Sequence, residues 1–202
     1  MNDKERMLCG KLYNPYKVNN PQWEKGKSLL KEFNDLNVHI NDESMSILKK
    51  AFHNIGENTF IIPPLYYDHA DNTSIGHHCF INTEFMMIGE GKINIGNDVY
   101  IGPRVSLYTA THPIDAFVRN QDLEISLPIT IGNNVWIGGN VVINPGITIG
   151  NNVVIGSGSV ITKDIEDNVV AAGNPCKIKR RITQEDHEYW YKQYLEYIKN
   201  NE

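Results

Sequence analysis

The stretch from residue 129 to residue 165, ITIGNNVWIGGNVVINPGITIGNNVVIGSGSVITKDI, repeats with a period of six. Isoleucine recurs at positions 131, 137, 143, 149, 155 and 161, and a second aliphatic series precedes the first five of these by two residues. A period of six fits neither the helical repeat of about 3.6 residues nor the two-residue alternation of a strand. Hexapeptide repeats are typical of a parallel β-helix, in which short strands and turns stack rung on rung. The sequence therefore predicts an all-β solenoid with aliphatic residues inside and Gly and Asn at the turns.

Composition narrows the class of protein. The chain has 202 residues, of which 41% are hydrophobic and 21% charged, as in ordinary globular proteins. Its net charge of −5 argues against nucleic-acid binding. No run approaches the roughly 20 apolar residues of a membrane span, and the polar start lacks the apolar core of a signal peptide. Three cysteines without metal-like spacing favour reduced thiols. We therefore expect a cytoplasmic protein without a membrane partner.

Changes in composition and in the repeat pattern divide the chain into three parts. Residues 1–57 predict a helical cap, with helices over 4–13, 21–33 and 42–54, that covers one end of the coil. Residues 58–170 predict the coil itself, interrupted by an extruded loop at 109–128 that keeps the six-residue register on either side. Residues 171–202 carry a basic cluster and a final helix, whose aromatic stripe we expect to pack on the protein.

Among seven histidines, His112 has the most distinctive position. It stands at the base of the extruded loop, directly after a coil rung, and Pro113 restricts its backbone to extended conformations. Imidazole titrates near neutral pH and is suited to taking a proton from a hydroxyl. His112 is therefore a candidate general base. Most of the other histidines fall in plain polar settings that need no special explanation.

Several longer motifs carry a resemblance to a known family. These are GKLYNP, IGENTFIIPPLYYD, FINTEFMMI, TATHP, PITIGNNVWIGGNVVINPGITIG and VVAAGNPCKIKR. Together they resemble the galactoside, maltose and nodulation-type sugar O-acetyltransferases of the hexapeptide acyltransferase superfamily, over nearly the whole length. The resemblance implies a left-handed parallel β-helix with acetyl-CoA as co-substrate and no metal. It also implies a homotrimer with active sites at subunit interfaces.

The same resemblance assigns roles to individual residues. His112 corresponds to the general base, and Asn82 to an active-site asparagine contributed across a subunit interface. The backbone N–H of Gly139 is the expected oxyanion donor. For the acceptor, a small molecule with a free hydroxyl, the corresponding positions are Asn14, Asp68, Phe80, Asn82 and Glu124. For CoA they are Trp136, Gly139, Ser157, Thr162, Lys163, Lys177 and Arg180, in a CoA-facing segment that includes residues 171–202.

The departures from the family pattern concern the acceptor. Asn14 replaces a common aspartate, Lys25 replaces an arginine, and Glu90 extends an acidic position in a Gly-flanked turn. Simpler interpretations also stay open: Trp136 as a plug at a coil corner, Asn82 as one more turn asparagine, and the lysines as a solvated face.

Three alternative functions use the same coil. A xenobiotic (antibiotic) O-acetyltransferase shares the chemistry, although the long helical cap favours the sugar branch. A γ-carbonic-anhydrase-like hydratase requires three converging histidines, which the pair His77–His78 with His112 does not supply by spacing. A non-catalytic trimeric scaffold leaves the TATHP loop and the basic stretch unexplained.

Overall fold

The computed structural model describes residues 1–18, 20–36 and 42–200, and it is a parallel β-solenoid of about six turns. Helices precede the coil and one helix follows it. This architecture confirms the fold class predicted from the six-residue period. The left-handed sense remains what the family resemblance implies.

The N-terminal region contains α1 (Asp3–Leu8), α2 (Gln22–Asn34) and α3 (Asp42–Ala51). The second and third predicted helices are confirmed, but the first one ends at Leu8 rather than Tyr13. Asn2 and Glu5 form a capping box at its start, and Gly10 at φ +64° breaks the helical path. Tyr13 therefore lies outside the helix, in extended backbone, and becomes part of the candidate active site.

The coil has three faces, visited in turn, and all pairing between successive turns is parallel. Face one contains β1 (Asn54–Ile55), β4 (Thr73–Ile75), β7 (Ile93–Ile95), β12 (Ile129–Ile131) and β15 (Thr148–Ile149). Face two contains β2 (Phe60–Ile61), β5 (Phe80–Ile81), β8 (Tyr100–Ile101), β13 (Trp136–Ile137), β16 (Val153–Ile155) and β18 (Val169–Ala172). Face three contains β3 (Leu65–Tyr67), β6 (Phe85–Ile88), β9 (Ser106–Tyr108), β14 (Val142–Ile143) and β17 (Val160–Ile161).

The interior of the coil is the predicted aliphatic stack. Each isoleucine of the main six-residue series is buried, with at most 2% of its surface exposed. Burying an aliphatic side chain of this size is worth about 1.5–3 kcal/mol, so the stack is the principal source of stability for the coil.

A ladder of polar side chains closes one corner of the coil. Four backbone N–H groups donate to the side-chain oxygen of the residue one turn further along, at 2.7–3.0 Å. The accepting residues are Asn97, Asn133, Asn151 and Asp167. Neighbouring asparagines such as Asn134 and Asn152 adopt positive φ, which asparagine tolerates better than most residues. The ladder explains why Asn-Asn pairs recur at this corner.

Residues 109–128 leave the coil as an arm between turns three and four. The arm contains the antiparallel pair β10 (Ala110–Thr111) and β11 (Ile125–Ser126), with α4 (Ala116–Arg119) at its far end. The register of the coil is maintained across the insertion, since Tyr100 pairs with Trp136. His112 follows β10, at the base of this arm.

The C-terminal segment pairs β19 (Lys177–Arg181) antiparallel with β18 and continues into α5 (Gln184–Lys199). The prediction that the aromatic stripe packs on the protein was wrong within this chain, because Tyr189, Trp190, Tyr194 and Tyr197 are 55–66% exposed. The rings pack along the helix instead, as in the edge-on contact of Tyr189 with Trp190 at 5.1 Å. Among the described residues, no helix is both long and apolar enough to span a membrane.

Candidate active site

His112 is exposed, and one of its ring nitrogens is anchored. Its Nδ1 lies 3.4 Å from the carbonyl oxygen of Leu123, in the returning half of the arm two residues before β11. A carbonyl oxygen can only accept, so in the neutral ring Nδ1 carries the proton and Nε2 keeps a lone pair. The arm therefore presents His112 with the tautomer that a general base requires.

The carbonyl that anchors His112 is itself fixed by the N-terminal segment. Tyr13 and Glu124 form an isolated antiparallel bridge, with both backbone N–H···O distances at 3.0 Å. Tyr13 is fully buried, and Glu124 is only 7% exposed. Tyr13 thereby pairs with the returning half of the arm, one residue from Leu123.

The side chains at this bridge form a compact polar cluster. The Tyr13 hydroxyl lies 2.6 Å from Glu90 Oε2, 2.6 Å from Glu124 Oε1 and 3.0 Å from Ser126 Oγ. Ser126 Oγ donates to Glu90 Oε2 at 3.2 Å. Burial is the main cause that raises the pKa of Glu124, and the charge of Glu90 adds to it. Burial also raises the pKa of Tyr13, so its phenol stays protonated.

A cleft of about 730 Å³ opens beside this cluster. Its lining includes two exposed aromatic rings, Tyr16 and Trp23, together with His69 and Glu90. Aromatic faces and a carboxylate are a combination suited to a polar ligand with apolar C–H faces. Glu90 therefore belongs both to the cleft and to the Tyr13 cluster.

Two of the predicted acceptor residues have structural hydrogen bonds. Asp68 accepts from Gly89 N–H at 3.0 Å and from Lys27 Nζ at 3.2 Å, and so ties helix α2 to the turn that bears Glu90. The Asn14 side chain accepts from Tyr16 N–H at 3.0 Å and caps the short 3₁₀ turn over residues 15–17. Both residues hold the walls of the cleft in place.

A second group of predicted residues lies at the corner between faces two and three. Gly139 lies two residues after β13 and Ser157 two residues after β16, so these two stack along the coil, and Asn82 lies one residue after β5 at the same corner. Gly102 approaches closely here, because a Cβ on it would come within 2.6 Å of the Gly139 nitrogen. In the described part of the chain, no backbone carbonyl accepts a hydrogen bond from the Gly139 N–H. The Gly139 amide therefore remains available as a donor.

The outer surface of face two carries an aromatic column. Phe80 pairs with Tyr100 and Tyr100 with Trp136, on adjacent strands, and Trp136 is 57% exposed. Phe80 and Trp136 thus share a face with Asn82 and Gly139 close by. The interpretation of Trp136 as a buried corner plug does not fit this exposure.

The remaining residues predicted to contact CoA differ in how accessible their side chains are. Thr162 and Lys163 are exposed after β17, and Lys177 is exposed on β19. The guanidinium of Arg180 instead makes a two-pronged ion pair with Asp186, at 2.7 and 2.8 Å. The hydrogen bond to Arg180 lowers the pKa of Asp186 to about 2. A phosphate at Arg180 therefore has to share the guanidinium with Asp186.

Within one chain these residues do not form a single site. No hydrogen bond joins His112 to Asn82 in the described part of the molecule. His112 and Glu124 lie on the arm, whereas Phe80, Asn82 and Gly139 lie on or beside face two. The residues 1–18, 20–36 and 42–200 also contain no group of three His, Cys, Asp or Glu side chains arranged to hold a metal ion.

Sequence reasoning missed Tyr13 and Trp23, and it assigned no role to Glu90. Tyr13 was assigned to a helix, and Trp23 was not singled out at all. Glu90 was noted only as an acidic residue between glycines. The two glycines beside Glu90 were the sequence signal of a closely packed turn. In the structure Gly91 packs so closely on Thr109 that a Cβ there would lie 2.7 Å from Thr109 Cβ.

Comparison with known proteins identifies the family. Residues 128–163 match the family "Bacterial transferase hexapeptide (six repeats)". The chain is 42% identical to galactoside O-acetyltransferase of Escherichia coli (strain K12) over 191 residues, covering 94% of each protein. It belongs to the galactoside O-acetyltransferase family. The chain is accordingly an acyltransferase.

Two solved structures extend the comparison. A galactoside acetyltransferase in complex with coenzyme A superposes with a TM-score of 0.89 at 41% identity, covering 93% of this chain and 94% of that one. A maltose O-acetyltransferase from Clostridium difficile 630 superposes with a TM-score of 0.82 at 40% identity, covering 91% and 99%. This chain therefore shares the fold of these enzymes over at least 91% of its length.

Proposed function

We propose that this acetyl-CoA-dependent acetyltransferase transfers the acetyl group directly to a hydroxyl of a saccharide or glycoside, with His112 as general base. The observation that carries the proposal is the hydrogen bond of His112 Nδ1 to Leu123 O, which leaves Nε2 as the basic nitrogen. Two solved relatives, a galactoside acetyltransferase and a Vibrio cholerae hexapeptide-repeat acetyltransferase, bind coenzyme A and acetyl coenzyme A.

The proposed chemistry is a single displacement. Nε2 of His112 takes the hydroxyl proton as the acceptor oxygen bonds to the thioester carbonyl carbon. The carbonyl oxygen becomes an oxyanion, which the free N–H of Gly139 stabilises. The C–S bond then breaks, and the departing CoA thiolate recovers the proton from the His112 imidazolium.

CoA contacts the face-two corner and the adjoining basic residues in this proposal. Trp136 packs beside the pantetheine arm, and Ser157 lies next to Gly139 along the same corner. Exposed cations attract the anionic phosphates of CoA. The rest of the chain is acidic, so the basic residues are the part of its surface suited to this contact. The residues assigned to this end of CoA are Thr162, Lys163, Lys177 and Arg180.

The acceptor occupies the cleft beside Glu90. Tyr16 and Trp23 offer ring faces for a sugar to pack on, and Glu90 can accept a sugar hydroxyl proton in a hydrogen bond. Asn14 and Asp68 shape the cleft through the contacts described above. Glu124 contributes through the Tyr13 cluster, which it shares with Glu90. Phe80 and Asn82 form the part of the site that lies at face two.

The separation of the two groups within one chain supports a homotrimer with active sites at its subunit interfaces. The arm of one subunit supplies His112, and the face-two corner of its neighbour supplies Asn82 and Gly139. Intersubunit complementation tests this arrangement. Co-refolded His112→Ala and Asn82→Ala subunits should regain activity that neither variant has alone; an inactive mixture would assign both residues to the same chain's site.

The reaction is tested by CoA thiol release from acetyl-CoA across a panel of acceptors. Galactosides, glucose, maltose and several hydroxylated antibiotics would be compared, with Trp23→Ala as a cleft variant. We expect release with a saccharide and a rise in acceptor KM in the variant. Release with the antibiotics alone would support the xenobiotic alternative, and absence of CoA binding would contradict the proposal altogether.

A further inference from the structure

The Tyr13 cluster has more short hydrogen-bond contacts than its hydroxyl protons can account for if both carboxyl groups are ionised. The Tyr13 hydroxyl has one proton, yet it lies 2.6 Å from a carboxyl oxygen of Glu90 and 2.6 Å from one of Glu124. Both distances are at the short end of the range for O–H···O hydrogen bonds, and an ionised carboxylate can only accept. The proton of Ser126 does not help, because Ser126 Oγ donates to Glu90 Oε2.

One carboxyl group must therefore carry a proton, and the contacts indicate which one. Glu90 Oε2 is the acceptor for both Tyr13 and Ser126, at 2.6 and 3.2 Å. Glu124 is the more buried group; it contacts the Tyr13 oxygen, and a side-chain hydrogen bond with Glu90 is a further cause of its raised pKa. The consistent arrangement is that Glu124 donates to Tyr13, and Tyr13 donates to Glu90.

We propose that Tyr13, Glu90 and Glu124 share one extra proton, held on Glu124, and that Tyr13 is a positioning residue for His112. The cluster then carries one negative charge rather than two. This inference rests on the proposed role of His112 as the base. Nothing in the family assignment specifies the protonation of these groups.

The cluster acts on His112 through both geometry and charge. The Tyr13–Glu124 bridge fixes the segment next to Leu123, whose carbonyl oxygen orients the His112 ring. An ionised Glu124 would favour imidazolium at His112, and imidazolium has no lone pair for the hydroxyl proton. With the proton on Glu124, the Leu123 carbonyl still orients the His112 ring, and no carboxylate charge is added beside it.

Within residues 1–18, 20–36 and 42–200, three titratable groups act on Glu124. Tyr13 approaches from the N-terminal segment, Glu90 from the turn after β6, and His112 from the other strand of the arm. Helix α1 also packs on β11, but its Arg6 donates to the backbone carbonyl of Leu12. The charge state of the cluster therefore depends mainly on Glu90 and His112.

Protonation of Glu124 links stability to pH. Because its pKa is raised from the ordinary value of 4.5, the stabilisation is complete below that value and is lost as pH rises through the raised pKa. Above that point Glu90 and Glu124 repel each other across Tyr13. The activity of the wild type should then fall on the alkaline side, in addition to any fall caused by other groups.

The first test needs no acceptor. Infrared difference spectra between wild type and Glu124→Gln at neutral pH should show a protonated carboxyl band that the variant lacks. Absence of this band would overturn the shared proton. If the band is present but no acceptor is acetylated, the proposed function fails while the protonation stands, so the two failures can be distinguished.

The second test is the pH profile of kcat/KM. Glutamine at 124 keeps an N–H donor toward Tyr13, so the acid limb should keep its midpoint and the alkaline loss due to the cluster should disappear. A downward shift of the acid limb by about one pH unit would mean that an ionised carboxylate had been removed, and would overturn the proposal. Glu124→Leu, which has no donor, should lose about tenfold more activity than Glu124→Gln.

The third test addresses Tyr13 directly. Tyr13→Phe should lower kcat/KM for the acceptor about tenfold with little change in the KM for acetyl-CoA, and its thermal unfolding should be measured alongside. Tyr66→Phe, a partly exposed tyrosine on β3, is the matched control and should keep wild-type kinetics. Wild-type kinetics and an unchanged pH profile in Tyr13→Phe would remove Tyr13 from the positioning of His112.

Discussion

The asparagine ladder and the Tyr13 cluster are both built from polar side chains, but their contacts span very different lengths of chain. Successive ladder residues are 16 to 36 residues apart, and each repeats the contact of the one before. Tyr13 reaches Glu90 over 77 residues and Glu124 over 111 residues, and neither contact is repeated elsewhere. The ladder therefore follows from the hexapeptide rule, whereas the cluster depends on where the cap and the arm meet.

This difference separates stability from activity. The coil obtains its stability from repeated aliphatic burial, and the site obtains its geometry from a few non-repeating contacts. Changes in the coil should lower the free energy of unfolding, and changes around the site should alter kinetics with smaller effects on stability.

The largest expected effect is in the coil. Ile143→Ala deletes a fully buried side chain of the stack and should lower the free energy of unfolding by about 2–5 kcal/mol in urea denaturation. Ile114→Ala, at a position 98% exposed on the arm, is the control and should change it by less than about 0.5 kcal/mol. Equal losses in both variants would show that the coil and the arm do not differ in this way.

A smaller effect is expected where the coil meets the cofactor. Lys163→Ala should raise the KM for acetyl-CoA about tenfold while kcat falls less, because the proposed phosphate contact would be lost in ground and transition states alike. Lys199→Ala, in the last turn of α5, is a control of the same charge. A fall in kcat with unchanged KM would place Lys163 outside the cofactor site.

The smallest effect tests the ion pair on the C-terminal segment. Asp186→Asn removes the carboxylate that occupies Arg180, and should lower the KM for acetyl-CoA about two- to threefold by freeing the guanidinium. The double variant with Arg180→Ala should lose this gain. If Asp186→Asn weakens acetyl-CoA binding instead, the ion pair itself shapes the site.

The low pKa of Asp186 gives a further check on the same pair. A carboxyl group with a lowered folded-state pKa stabilises the protein above its ordinary pKa and loses this contribution as pH falls toward about 2. Asp186→Asn should therefore differ from wild type in stability at neutral pH and converge with it in strong acid. Both side chains are solvent-accessible, so the difference should be small.

The sequence allowed the coil to be predicted because its period is local. Each six-residue unit specifies its own strand and turn, and the register across the arm survives because Leu107 and Ile131 are a whole number of periods apart. The arm and His112 could also be located, since the period is interrupted there. The Asn-Asn pairs marked the corners that the ladder now explains.

The rest depended on contacts that no local pattern encodes. Tyr13 follows a short helix and resembles part of it in sequence, but its backbone pairs with Glu124 across the molecule. The Arg180–Asp186 pair depends on the turn between β19 and α5. The aromatic residues of α5 looked like a buried stripe, yet the helix extends without a buried residue. Each case is a tertiary outcome that overrides a local signal.

The most direct test of the account compares wild type and His112→Ala under saturating acetyl-CoA, with the best acceptor from the panel. Turnover would be followed by thiol release and acetyl-CoA affinity by calorimetry. We predict that turnover falls at least about a hundredfold while acetyl-CoA affinity stays within twofold, as expected for loss of a general base. Turnover within a few-fold of wild type would contradict the account, because the imidazole that the arm presents would then be dispensable.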